Sequence, residues 1–193
     1  MARKTRVETQ AKTRAQLVKT ARQLFFDDGY RPTSLEKVAD AAGYSKGAVY
    51  SNFRNKDELC TAVLDEVRAE RFGEVVAMLA TPDTPARIEA LRDWSERVIG
   101  DPGWTSLEVE FAVHARANEE LRTELAGRFD GIRQMLTAAV ESADSADLKM
   151  PGREAATVVL ALGVGLGLLR TIDPSVPITG LIDTIRLLTG QTV

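Results

Sequence analysis

Apolar residues recur along this chain at spacings of three and four, the period of a helix with one buried face. The clearest case is Leu35, Val38, Ala39 and Ala42, at i, i+3, i+4 and i+7. Thr33 and Glu36 stand ahead of them with the spacing of a capping box. Gly43 follows, a residue able to take the left-handed conformation that often closes a helix. Ser45 is placed to cap a second short helix, with Ala48, Val49 and Phe53 inward and Lys46, Tyr50 and Asn52 outward. Two short helices about a glycine-bearing turn make a helix-turn-helix, whose second helix fits the width of the DNA major groove.

The same period organises the flanks. Leu17, Ala21, Leu24 and Phe25 form the apolar stripe of a helix expected from about Gln10 to Asp28, ending at Gly29-Tyr30. Asn55, with Glu58 three residues on, caps a long helix expected to run to about Leu79. Thr81-Pro82-Asp83-Thr84-Pro85 then breaks the chain. Further helices are expected over Ala86–Ile99, Trp104–Arg116, Asn118–Glu141, Glu154–Ile172 and Ile178–Leu188. Their separators are Gly100-Asp101-Pro102-Gly103, a loop over Ser142–Gly152 and Asp173-Pro174-Ser175-Val176-Pro177. Neither a period-two strand nor a repeat of about 20–50 residues stands out. The expected fold class is all-α, with about nine helices.

From Ala21 to Leu59 the chain reads ARQLFFDDGYRPTSLEKVADAAGYSKGAVYSNFRNKDEL. It holds in order a Phe-x-x-x-Gly-Tyr turn, a Thr-Ser start, an Ala-x-Ala-Ala-Gly turn, a Lys-Gly-x-x-Tyr-x-x-Phe helix and a Lys-Asp-Glu-Leu restart. This stretch resembles the tetracycline-repressor (TetR) family of bacterial transcription regulators. The resemblance is close over the first third and extends to the remainder only in helical layout. One departure is Asn52, where members often carry His; an asparagine can still donate to a phosphate.

The resemblance implies a DNA-binding domain over residues 10–69, with the motif at about 33–53, and an effector-binding and dimerisation domain over 70–193. By motif position, Tyr44, Lys46 and Tyr50 would meet the groove and Gly47 would let the backbone approach. Thr33, Ser45, Asn52 and Lys56, with the amides at three helix starts, would hold phosphates. It also implies a homodimer paired through Glu154–Ile172 and Ile178–Leu188, and a repressor released from a palindromic operator in double-stranded DNA by a small molecule. An effector-independent repressor is the alternative.

Charge agrees with this division. Residues 1–60 hold 12 Lys/Arg against 7 Asp/Glu, a net of +5, and residues 61–193 hold 13 against 21, a net of −8. A basic head is what local phosphate contact requires, and the whole-chain isoelectric point of about 5.4 hides it. Arg3, Lys4 and Arg6 lie in a polar segment, Met1–Thr9, expected to be a solvated tail or an arm along the DNA. Lys12, Arg14, Lys19 and Arg22 add to the field from the first helix. Cys60 is alone, which excludes an intrachain disulfide and suits a cytoplasmic compartment. No leader pattern is visible. The uncharged run Ala155–Leu169 falls short of the roughly 20 residues that a bilayer core needs, so it reads as a buried helix and no membrane is implied.

Other constellations carry less. Gly163, Gly165 and Gly167 follow no strand and precede no P-loop lysine, so they suit close helix packing rather than a nucleotide. His114 with Glu110 is too little for a metal site, and with no nucleophile spaced nearby an enzyme is not expected, nor is any cofactor. Trp94, Trp104, Phe111 and Phe129 sit in the middle helices as core or cavity wall. Of these, Trp94, Trp104 and Phe111, together with His114, are the candidate ligand-binding residues. Glu108, Glu110 and His114 supply polar groups, and cations are scarce between Arg97 and Arg116. The expected effector is therefore small and apolar or cationic.

Overall fold

The computed structural model describes residues 6–79, 81, 83–142 and 150–188. Among these residues it contains nine helices and no strand. They are α1 (Arg6–Asp28), α2 (Leu35–Ala42), α3 (Lys46–Tyr50), α4 (Lys56–Leu79), α5 (Thr84–Val98), α6 (Pro102–Ala115), α7 (Glu119–Ser142), α8 (Gly152–Ile172) and α9 (Thr179–Leu188). The all-α expectation holds. The arm residues Arg3 and Lys4 and most of the loop before Gly152 lie outside the described residues.

Boundaries differ from the periodic reading in instructive ways. The first helix begins at Arg6, four residues early, so part of the expected arm is helical. Pro85 and Pro102, read as breakers, occupy the first turns of α5 and α6. Proline suits that position because its missing N–H is one that a helix start leaves unpaired. Asp83 and Asp101 cap these two helices, accepting from Ala86 N and Trp104 N. The apolar helix α8 spans 21 residues, starting two before the expected Glu154–Ile172 because Gly152 and Arg153 join its first turn. By length and composition alone it could cross a membrane.

One core joins α1–α4 to the inner faces of α6 and α7. Leu17, Ala21, Phe25, Val38, Val49, Phe53, Leu59 and Val63 are essentially without exposure, and Leu107, Phe111, Leu121 and Leu125 close over them. Gly103, in the first turn of α6, lets that helix meet α1: a Cβ there would lie 2.8 Å from the Phe26 ring. Beyond this core, α4 to α9 surround a cavity of about 320 Å³.

Candidate nucleic-acid interface and internal cavity

Local geometry places the two short helices as a helix-turn-helix. Ser34, extended at φ −105° and ψ 162°, caps α2 by accepting from Lys37 N. Gly43 closes it at φ 72°, its N–H donating to the last-turn carbonyls of Ala39 and Asp40. A side chain is strained at that angle, so glycine is the residue the turn demands. Ser45 then caps α3, accepting from Ala48 N at 3.2 Å.

Thr33 corrects the capping-box expectation. Its hydroxyl donates to Gly29 O at 2.9 Å and Leu24 O at 3.3 Å, and the residue is 1 % exposed. It ties the turn to the end of α1, and burial withdraws its side chain from a phosphate. The hydroxyl that caps α2 is the neighbouring Ser34, which is exposed.

Ser45, Lys46, Gly47 and Tyr50 are exposed together on the outer face of α3, with Tyr44 half-buried beside them. Sequence reasoning missed the partner of Tyr50, whose hydroxyl donates to Glu36 Oε1 at 3.2 Å. The Glu36 carboxyl is held below its ordinary value, first by a bond from its own backbone amide and then by Tyr50. Asn52 turns inward: its Nδ2 donates to Ala48 O at 2.7 Å, and its Oδ1 is buried without a partner. Lys56 is also engaged, donating to Tyr30 O at 3.1 Å with its ammonium 4.1 Å from the Tyr30 ring centre. These two expected phosphate contacts are bound up within the fold here. Of the α1 cations, Arg22 pairs with Glu70 at 2.8 Å and Arg14 lies over the Phe53 ring.

Tyr30 is the hub where the two halves join. Its hydroxyl donates to Asp57 Oδ1, its N–H donates to Glu110 Oε2 at 2.9 Å, and its ring packs on Phe111 and His114. Burial, then the Asp57 contact, pushes its phenol far above the ordinary tyrosine value. His114 Nε2 lies 3.2 Å from the same Asp57 oxygen. Phe111 and His114 were candidate cavity residues on α6. Their side of the helix faces Tyr30 instead, so they belong to this junction. Glu110 leaves the ligand site with them. For His114 the missed signal was the helical turn, which sets it well round from residues 105, 108 and 112. Phe111, seven residues beyond Trp104, keeps the same stripe and meets Tyr30 because it lies two turns further along the axis.

Trp104, Thr105, Glu108 and Ala112 do border the cavity, as do Trp94 and Phe129. The other walls include Phe72, Val75 and Leu79 of α4 and Val159, Leu160 and Val164 of α8, so the lining is overwhelmingly apolar. Its charged residues are Arg68, Arg87 and Glu108. Arg68, 6 % exposed, forms a fork with Glu108: Nε to Oε1 at 2.8 Å and Nη2 to Oε2 at 2.6 Å. Trp104 Nε1 donates to the same Glu108 Oε1 at 3.0 Å. With Glu108 so occupied and Glu110 elsewhere, the cationic half of the effector expectation loses its carboxylates.

A glycine-closed helix, a capped helix with an exposed Lys-Gly-x-x-Tyr face and a buried brace behind them make a helix-turn-helix. Residues 17–63 match the family model described as "Bacterial regulatory proteins, tetR family". The HTH-type transcriptional regulator TtgR of Pseudomonas putida is 42 % identical over 67 residues, 35 % of this chain and 31 % of that protein. The chain thus spans about a third of the length of the first curated relatives it matches. The crystal structure of a putative transcriptional regulator from Rhodococcus sp. RHA1 superposes with a TM-score of 0.76 at 14 % identity, covering 93 % of this chain and 96 % of that one. The structure of AibR in complex with isovaleryl coenzyme A and operator DNA does so with 0.63 at 21 %, covering 93 % and 100 %. At such identities the likeness shows the fold. Over residues 17–63 the chain carries the DNA-binding region of the tetR family of regulators.

Proposed function

We propose that this chain is a homodimeric, cytoplasmic DNA-binding repressor whose operator affinity falls when a small apolar molecule enters the cavity. The observation that carries this reading is the reach of α4. Its first turn holds Lys56 against Tyr30 behind the helix-turn-helix, and its later turns, Arg68 to Leu79, wall the cavity. A 24-residue helix is about 36 Å long, so one rigid element touches both places. AibR, whose structure holds both a ligand and operator DNA, supports the pairing of the two activities. An effector-independent repressor leaves the cavity without a use.

On this reading residues 10–69 form the DNA-binding domain and 70–193 the effector and dimerisation domain. Tyr44, Ser45, Lys46, Gly47 and Tyr50 meet the DNA, while Trp94 and Trp104 meet the effector. Val158, Ala161, Gly165, Leu168 and Ile172 fall at alternating spacings of three and four, and all five are exposed on α8. Only 17 % of the most apolar stretch of that helix is buried in the single chain. A second copy is the occupant we assign to this face, because two half-sites of a palindrome require a two-fold pair of readers. Gly165 lies on the exposed face and Gly167 is buried toward Thr105, so Gly165→Leu is the variant that obstructs pairing. For release, a tenfold preference of the ligand for the DNA-incompetent state corresponds to about 1.4 kcal/mol per site.

The test selects DNA from a random-sequence library with the purified protein, then measures binding by anisotropy with and without the neutral dye N-phenyl-1-naphthylamine. An inverted repeat bound by a dimer, and weakened as the dye fills the cavity, is the expected result. A monomer at micromolar concentration, or selection of no repeat, overturns the dimeric repressor. Dye binding that never alters DNA affinity overturns the coupling.

A further inference from the structure

Three polar side-chain atoms on residues of the cavity wall are buried without a hydrogen-bond partner; two can only donate, and the third is a serine hydroxyl that can also donate. Ser95, 1 % exposed, has an Oγ without a partner, and beside it on α5 the indole Nε1 of Trp94 is likewise buried and unpaired. On α4, the Nη1 of Arg68 is buried without a hydrogen bond, with Asp65 Oδ1 at 3.9 Å, although its other two nitrogens are held by Glu108. All three residues line the cavity. Trp104 shows the contrast, since its indole N–H has Glu108. The carboxylate on the wall is engaged: Glu108 Oε1 takes two donors and Oε2 a third.

A buried donor left unmade costs more than a made bond returns, so an acceptor that reaches these groups gains their lost bonds. A donor-only ligand such as an ammonium can use the Ser95 oxygen but not the Trp94 or Arg68 nitrogens, so most of the water it sheds is not replaced. We infer that the cavity selects apolar molecules bearing a carbonyl-type oxygen acceptor, read by Ser95, Trp94 and Arg68, in preference to ammonium ligands. This rests on the cavity being the effector site. A volume of about 320 Å³ sits at the small end of the ~300–1,000 Å³ of small-molecule pockets, which limits the ligand to one compact body. A serine hydroxyl turns about a single bond, so an acceptor arriving along α5 can meet it without backbone change.

The experiment displaces N-phenyl-1-naphthylamine from the full chain with three molecules of matched chain length: octan-2-one, octanoate and octylammonium. At least one of the two oxygen acceptors displaces the dye about tenfold more tightly than octylammonium, and which of them leads tells a neutral acceptor from an anionic one. Ser95→Ala weakens the better acceptor about three- to tenfold, the effect of one hydrogen bond, and leaves dye affinity unchanged, while Trp94→Phe, which also trims the wall, weakens the acceptor by at least about threefold more than it weakens the dye. Because the Ser95 hydroxyl has no partner in the protein, Ser95→Ala also keeps or raises the unfolding midpoint, a result that a structural hydroxyl would not give. Octylammonium equal to or tighter than both acceptors overturns the inference while leaving the cavity reading intact. So does full acceptor affinity in both variants. Failure of the dye itself to bind overturns the cavity as a ligand site, and the inference with it.

Discussion

The two halves of this molecule use similar apolar helices in opposite ways. Around the helix-turn-helix the large side chains Leu17, Phe25, Phe53 and Leu59 are at most 1 % exposed, each filling the space another leaves. In the C-terminal half Trp94, Trp104 and Phe129 are only half-buried, because one side of each borders the cavity. Close packing fixes positions to within a rotamer, which a surface that reads DNA requires. A wall with missing neighbours forfeits that dispersion and can be repacked by whatever fills the gap. In the proposed function, the platform that reads is solid and the part that responds is hollow.

The largest test of this contrast uses two aromatic truncations. Phe111→Ala removes a fully buried ring from the junction against Tyr30 and should cost about 3–5 kcal/mol of stability. Trp94→Ala enlarges a space that already exists and should cost less than half as much, while abolishing dye binding. Urea denaturation followed by circular dichroism compares them. Equal losses would mean that the C-terminal half is packed as tightly as the N-terminal one.

Smaller effects separate reading from bracing within the solid half. Lys46→Ala should relax base preference by about 1–3 kcal/mol if its ammonium meets a base edge, with the unfolding midpoint unmoved, since the side chain is exposed. Ser34→Ala should cost about 1 kcal/mol of stability through loss of the α2 cap. Thr33→Ala should destabilise by about the same, from its bond to Gly29 O, without changing the salt dependence of DNA binding. A flattened salt slope in the Thr33 variant would restore this residue to the phosphates and undo the correction made above.

What was legible in the sequence follows the same division. The motif face, the glycine turn and the all-α layout are written in local spacing, because each depends on residues within one or two turns. Asn52 and Lys56 were assigned by position to phosphates, yet Ala48 O and the Tyr30 ring hold them, and only the folded packing reveals partners 4 and 26 residues away. Phe111 and His114 were grouped with Trp104, yet both pack on Tyr30, a neighbour from a distant part of the chain that no helical period on α6 encodes. Arg68 was not among the ligand candidates at all. Its place on the wall depends on α4 crossing α6 at Glu108, 40 residues on, which no local period encodes.

The smallest expected effect concerns the one contact on the reading face that titrates. Tyr50 donates to Glu36, and the two perturb each other oppositely: the carboxyl is lowered, and the phenol is raised chiefly by the hydrogen bond to Glu36. For the lowered acid, the stability contribution is present above the ordinary carboxylate value and is lost as pH falls through the lowered one. For the raised phenol, it is present below the ordinary tyrosine value and is lost as pH rises through the raised one. The pair therefore supports the fold across neutral pH and fails at both ends. Glu36→Gln should lower the unfolding midpoint slightly at pH 7 and leave it equal to wild type in acid, where the native carboxyl is also neutral. Because Glu36 also sits in the first turn of α2, where any anion is favoured, the Tyr50→Phe single and the double variant isolate the pair. A coupling that vanishes in acid confirms that α2 aims the α3 tyrosine. A coupling that is zero at pH 7 leaves Tyr50 free to swing, and the reading face is then less fixed than the core behind it.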